Sequence, residues 1–372
     1  MIRLAVPPVG AAEIDAVVAV LRSGQFVQGA RVRAFEAMVA EQARAKHAIA
    51  VSSGTAALHL ALLAVGIGPA DRVAVPAFSW PATANSVVLC GAEPVFVDID
   101  PVTYNLDPAH LERVLVEDRR IKAIMPVHAF GGMADMPTIM DLAARFDAVV
   151  IEDAACALGA AMMQRAAGAW GRVGCFSFHP RKIVTTGEGG AIVTDDDDVQ
   201  RRLRRLRNHG IDPSAHGVDF VTAGFNYRLT EFQAALGIPQ MERLADIVRQ
   251  RQALASYYAT LLAETEIVVP RSSAPEAHTF QSYVVLLPSW AAGRRDRVLE
   301  RLRAADIEAT IGTYHIPATT YFRERHGAVA SAFPVAESVS GRAVSLPLHL
   351  QLTKDDQSHV VRELLSALDA VR

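Results

Sequence analysis

The order of residues predicts an α/β fold: a mostly parallel central sheet covered by helices, with a smaller α+β unit behind it. Three observations carry this. Short β-branched runs alternate with longer Ala- and Leu-rich runs from about residue 47 to 195, the signature of a layered sheet. The alternation changes character after residue 195. A chain of 372 residues also exceeds what one hydrophobic core usually organises. We therefore expect a large α/β unit over 1–240 and a small α+β unit over 241–372.

Strands are expected at 48–51, 72–75, 94–97, 121–127, 148–151, 174–178 and 191–194. Helices are expected between them at 56–65, 81–89, 108–116 and 136–146, with Thr55 and Asp107 as capping residues. Asp195 to Asp198 followed by Arg201, Arg202, Arg204, Arg205 and Arg207 reads as a solvated helix whose charges suit its dipole, rather than as a nucleic-acid patch. A single long helix is expected over 231–262. The small unit follows, with a strand at 279–287 and helices at 294–305 and 355–371. Parallel sheets bind ligands beyond the carboxyl ends of their strands, so polar residues just after each strand are the first candidates for chemistry.

Composition excludes several classes. Apolar residues make up 51% of the chain and the formal charge is −3, as in soluble globular proteins without a nucleic-acid or membrane bias. No basic-then-apolar leader or bilayer-length run is present, so the cytoplasm is the expected compartment. Cys90, Cys156 and Cys175 form no Cys-x-x-Cys pair, which gives neither a disulfide framework nor a zinc site, and no metal is expected.

Only four lysines occur among 37 basic residues. Arginine can replace lysine as a surface cation, but its guanidinium cannot form a Schiff base. Lys182, which ends Phe176-Ser177-Phe178-His179-Pro180-Arg181-Lys182 just after a strand, is thus a candidate for covalent chemistry, against the alternative of a basic turn. Ser53-Gly54-Thr55 joins a strand to a helix, where backbone N–H groups can enclose a phosphate or simply cap the helix. Asp153 ends another strand, as a crevice carboxylate or a cap. Trp80 fits a core aromatic or a platform for a flat ring. A phosphate cradle, an aromatic plate, a carboxylate and a Schiff-base lysine, each after a different strand, are together what pyridoxal 5′-phosphate requires.

The ordered blocks SSGTAALHLAL (52–62), VPAFSWPAT (75–83), GAEPVFVDID (91–100), EDAACALGA (152–160), CFSFHPRK (175–182), TTGEGG (185–190), LRNHG (206–210) and FNYRLTEFQAA (225–235) resemble the DegT/StrS family of sugar aminotransferases over nearly the whole chain. The resemblance implies the fold type I architecture of pyridoxal phosphate enzymes, a homodimer with shared active sites, and amino transfer from L-glutamate to a nucleotide-linked keto sugar. The motif wording is closest to perosamine-synthase-like members, which implies a 4-keto-6-deoxyhexose; 3-keto sugars and keto-cyclitols are the competing acceptors. A sugar dehydratase of the same fold would carry histidine in place of Lys182. A noncatalytic regulator would be expected to lose Asp153 or Lys182, and both are present.

Carried over by position, Lys182 matches the lysine that holds the cofactor as a Schiff base and shuttles protons, and Asp153 the partner of the pyridine nitrogen. Trp80 matches the ring stacked on the pyridine, Gly54, Thr55 and Ser177 the phosphate contacts, and Asn226 a phosphate contact made from the partner subunit. Arg228 could guide the donor carboxylate or form a structural ion pair, and His179 could face the sugar or pack. Two positions depart from the family pattern. Cys156 stands where many relatives place glutamine or histidine near the ring hydroxyl. After Gly312-Thr313-Tyr314, Pro317 occupies the place of a frequent substrate-side histidine, which leaves Tyr314 and the adjacent His315 as substrate candidates.

Overall fold

The computed structural model describes residues 1–212, 217–272, 274–326 and 329–372. Its central sheet has seven strands: β1 His47–Val51, β2 Arg72–Pro76, β3 Glu93–Val97, β4 Ile121–Ile124, β5 Val149–Asp153, β6 Val173–Ser177 and β7 Gly190–Thr194. They lie in the order β1-β7-β6-β5-β4-β2-β3. β7 runs antiparallel to both neighbours, and the remaining pairs are parallel. The mostly parallel α/β architecture expected from the sequence is present.

Strand periodicity divides the side chains between two cores. Ala48, Ala50, Val150, Phe176 and Ala191 pack on one face with Val39, Leu142 and Ala234. Ile49, Val51, Ile151, Cys175 and Ile192 pack on the other with Leu60, Val87 and Leu203. Helices cover both faces. β1 stands at one end of the sheet, yet its outer side is covered. Ser52 N donates to Tyr227 O (2.8 Å), and Arg228 forms a bridge with Val51. Ala50 is bonded on both sides, by Glu36 Oε1 to its N–H (3.0 Å) and by Arg207 Nη1 to its carbonyl (2.8 Å).

Several local expectations change. Ser53, not Thr55, caps helix Gly54–Ala64: its extended backbone lets the hydroxyl accept from Ala56 N at 3.1 Å, leaving Thr55 exposed in the first turn. Asp107 caps Pro108–Glu117 as expected. β4 stops at Ile124, and Pro126 has no N–H with which to extend the ladder. The long helix splits into Glu231–Glu242 and Leu244–Leu262 at Arg243. Pro239 weakens the preceding turn, and the Arg243 guanidinium bonds Pro239 O and Glu13 at the joint. The helix Asp197–Arg207 has its acids first and its bases last, but Arg207 is buried against Glu36 rather than solvated.

A third core gathers Tyr258, Tyr283, Val298, Leu302, Val344 and Leu364, with Ile2 packed against it. Its sheet places Ala343–Leu346 between Tyr283–Leu286 and Thr310–Ile311, all antiparallel. The strand expected at 279–287 begins only at Tyr283, because Phe280 adopts a positive φ of 49°. Helices Arg295–Ala304 and Lys354–Asp369 complete this unit. No helix among the described residues is long and apolar enough to cross a membrane. The three cysteines are free, with Cys90 and Cys175 buried and Cys156 half-buried.

Candidate active site

Two adjacent acids end β5, and the two-residue period sends them to opposite faces. Glu152 is fully buried and saturated with donors. It accepts from Gly168 N (2.8 Å), Trp170 N (2.6 Å) and Gly171 N (2.7 Å), and pairs with His128 Nε2 at 2.9 Å. His128 Nδ1 accepts from Ala134 N, so the ring proton sits on Nε2 and is donated to Glu152. Asp153, facing the other core, has only two donors: Thr83 Oγ1 at 2.8 Å and Ala155 N at 3.2 Å. Burial pushes its carboxyl above the ordinary value; the Thr83 and Ala155 hydrogen bonds and the Lys182 charge pull it partly back. An adjacent buried acid with all its bonds made is structural, whereas Asp153 still has capacity for a cationic donor.

Thr83 extends the line toward solvent. Its hydroxyl lies 3.0 Å from Ser79 Oγ, and Ser79 precedes Trp80. The short strand Phe78–Ser79 pairs with Tyr314–His315, which brings the Tyr314 ring to 5.5 Å from Trp80, edge to face. Trp80 is 63% exposed and therefore available as a plate; it is not a core residue. The same pairing turns His315 the other way. It is buried beside Phe333, its Nε2 has no partner, and burial lowers its pKa. Pro317 is buried as well.

Lys182 closes a turn, with its N–H donating to His179 O at 2.8 Å, and its amine reaches Cys156 Sγ at 3.0 Å. His179 is half-buried, accepts from Arg181 N through Nδ1 at 3.2 Å, and has its pKa lowered by burial. At the start of helix Gly54–Ala64, a Cβ on Gly54 would meet Ser177 Cβ at 2.7 Å. Only glycine fits there. The result is a helix N-terminus and the Ser177 hydroxyl at one point, a setting made for an anionic oxygen cluster.

Asn226 is exposed, and its backbone bridges Asn208 beside the covered edge of β1. Arg228 donates to Asn208 Oδ1 at 2.7 Å, the contact seen here in place of an ion pair. Beyond the carboxyl ends of β1, β5 and β6 the structure thus brings Lys182 to Cys156, Asp153 to Thr83 and Gly54 to Ser177, while Trp80, after β2, faces Tyr314. His315 is turned away from Trp80. Thr83, His128 and Glu152 were not singled out by the sequence. Alternation along Ile151-Glu152-Asp153 could have separated the two acids, but no spacing signal ties Glu152 to His128.

These residues fit pyridoxal 5′-phosphate: a lysine amine, a buried carboxylate lacking a cation partner, an exposed indole, and a cradle that a single Cβ would fill. Comparison with known proteins agrees. Residues 7–365 match the DegT/DnrJ/EryC1/StrS aminotransferase family. A GDP-perosamine synthase of Caulobacter vibrioides is 42% identical, over 91% of this chain and 89% of its own length. A UDP-N-acetyl-3-dehydro-alpha-D-glucosamine 3-aminotransferase of Acidithiobacillus ferrooxidans is 38% identical over 92% of this chain and 89% of its own. The solved structure of Helicobacter pylori PseC, an aminotransferase involved in the biosynthesis of pseudoaminic acid, superimposes with a TM-score of 0.94 at 26% identity, covering 99% of both chains. The chain belongs to the DegT/DnrJ/EryC1/StrS family, and it is a pyridoxal 5′-phosphate-dependent aminotransferase of fold type I.

Proposed function

We propose that this aminotransferase moves the amino group of L-glutamate to a nucleotide-linked 4-keto-6-deoxyhexose. The observation that carries the acceptor class is the 42% identity to a GDP-perosamine synthase across nearly the full length of both chains. The 3-aminotransferase relative at 38% identity supports a second reading, amination of a 3-keto nucleotide sugar.

Each residue has a task in this reading. The bound cofactor supplies an electron sink for the charge left when the donor α-proton is removed. Lys182 Nζ would hold the cofactor and would take and return that proton; it is hydrogen-bonded to the Cys156 thiol 3.0 Å away. Asp153, with its carboxyl desolvated and only two donors, pairs with the protonated ring nitrogen. Gly54, Thr55 and Ser177 would hold the phosphate at the helix start, with Cys156 and Trp80 as the residues that would contact the ring. Tyr314 and His179 border the sugar side; Arg228, bonded to Asn208, holds the Asn226 segment in place. We assign the working form to a cytoplasmic homodimer in which the exposed Asn226 of each subunit completes the other's phosphate site.

The test is incubation of purified protein with glutamate and a panel of 4-keto and 3-keto nucleotide sugars bearing GDP, UDP or dTDP, with the aminated carbon located by NMR. Amination at C4 of a 6-deoxyhexose supports the first reading, and amination at C3 replaces it with the second. Borohydride reduction followed by peptide mapping should place the fixed cofactor on Lys182. Mixing Lys182→Ala with a cofactor-poor Asn226→Ala should restore part of the activity; none after verified subunit exchange would argue for a site contained in one subunit.

A further inference from the structure

The side-chain amide of Gln281 spans both peptides that flank Lys182. Its Oε1 accepts from Ile183 N at 2.9 Å, and its Nε2 donates to Arg181 O. Gln281 is 100 residues beyond Arg181 in sequence and only 5% exposed. One planar amide thus bonds the chain on either side of the lysine as a neighbouring strand would, although no strand is present.

The segment bearing Gln281 is itself fixed from three sides. Buried Arg251 donates to Phe280 O (2.9 Å) and Gln281 O (2.7 Å). Thr279 Oγ1 donates to Cys156 O (3.2 Å), and Ser282 N donates to Phe130 O (3.3 Å). Immediately afterwards the chain enters strand Tyr283–Leu286 of the small unit. One short segment therefore touches Cys156 and the Lys182 turn, the two sides of the amine–thiol contact, and continues directly into the second unit. Among the described residues no carboxylate pairs with Arg251, and burial lowers its pKa to about 10. Its charge is placed on two carbonyls, an arrangement that orders the backbone it holds.

We propose that Gln281 is a positioning residue for the lysine: it fixes the main chain on both sides of Lys182, and through it the small unit sets where the amine stands. This rests on the assignment of Lys182 as the cofactor-bearing lysine. Displacing a reacting group by about 1 Å costs on the order of 100-fold in rate without requiring any loss of binding. A merely structural glutamine would contribute to stability and leave the chemistry of the folded protein untouched.

The experiment compares Gln281→Leu, which removes both amide contacts at similar volume, with Gln281→Glu, which keeps an acceptor for Ile183 N–H but loses the donor to Arg181 O. Borohydride mapping of the unaltered protein comes first; a cofactor fixed elsewhere than Lys182 overturns the functional reading and this proposal with it, whereas the variants below overturn the proposal alone. With Lys182 confirmed, Gln281→Leu should lower kcat roughly 10- to 100-fold while the KM for glutamate stays within about two-fold. The pH midpoint of the cofactor's visible band should also move, and Gln281→Glu should be intermediate in both. Amide exchange of the peptide containing Ile183 should accelerate in Gln281→Leu, a readout independent of turnover. A lower Tm with unchanged kcat and an unmoved spectral midpoint overturns the proposal. If Gln281→Leu fails to fold, Gln281→Glu decides: unaltered kcat with an unmoved spectral midpoint overturns it equally.

Discussion

Lys182 Nζ and Cys156 Sγ stand 3.0 Å apart, so the lysine amine has a thiol as its hydrogen-bond partner. A thiol is a weak donor and weak acceptor, and it leaves the amine freer than an amide or imidazole would. Replacing it should therefore change the proton balance of the amine–cofactor link. Cys156→Gln should shift the pH midpoint of the visible band, with Cys156→Ser shifting it less. A midpoint that stays put while Tm falls would mean that glutamine only overpacks the position.

Asp153 gives a pH prediction with a defined sign. Burial holds its carboxyl above the ordinary 3.8, so the folded cofactor-free protein keeps a proton that the unfolded chain has released. That contribution is fully present below 3.8 and is lost as pH rises through the folded value. Cofactor-free Asp153→Asn, which cannot ionise, should melt higher than the unaltered protein at about pH 8, with the gap closing toward about pH 4. The same variant should bind cofactor weakly and lose at least about 100-fold in rate, because its neutral amide cannot pair with a cationic ring. Thermal melts across pH, with and without cofactor, check both halves.

Gly54→Ala places a Cβ at 2.7 Å from Ser177 Cβ, closer than the two chains can stand. The helix start must back away from Ser177, opening the cradle. Cofactor affinity should fall roughly 10- to 100-fold with little change in the spectrum of the residual complex. Equilibrium dialysis against pyridoxal phosphate measures this directly.

Glu152→Gln tests the neighbouring acid. A glutamine cannot accept from Gly168 N, Trp170 N, Gly171 N and His128 Nε2 together, since one of its two ends is a donor. Breaking this buried pair should cost about 3 kcal/mol in denaturant unfolding. Asp153 exchanges backbone hydrogen bonds with the segment holding His128: Asp153 N donates to Pro126 O and His128 N to Asp153 O. Cofactor affinity should therefore fall along with stability.

The parts of this molecule written in short-range pattern were legible before the structure. The seven strands and the Asp107 cap each follow from a few adjacent residues, and the split of strand residues into two cores follows from a period of two. What was not legible depends on pairs distant in sequence. His128 meets Glu152, and Gln281 meets Arg181 and Ile183, only because the topology folds separate segments over one strand end. His315 looked like a site residue by proximity to Tyr314, but in a strand pair adjacent side chains point opposite ways, and only Tyr314 faces Trp80. Thr55 looked like the cap because it is a threonine near a helix start, whereas the extended backbone at Ser53 decides which hydroxyl reaches the free N–H groups.

The pairing of β1 with β7, His47 opposite Thr194, bears on how the chain is made. As it leaves the ribosome, β1 has no sheet partner until β7 follows, an interval of roughly 7–30 s at ordinary synthesis rates. Its other side, apart from the Glu36 contact at Ala50, waits longer, for Tyr227 and Arg228. Through that interval a five-residue strand, apolar from Ala48 to Val51, remains a free template, open to pairing with another nascent copy. Yield of soluble protein should therefore respond to translation speed and chaperone supply more than the stability of the finished fold would suggest.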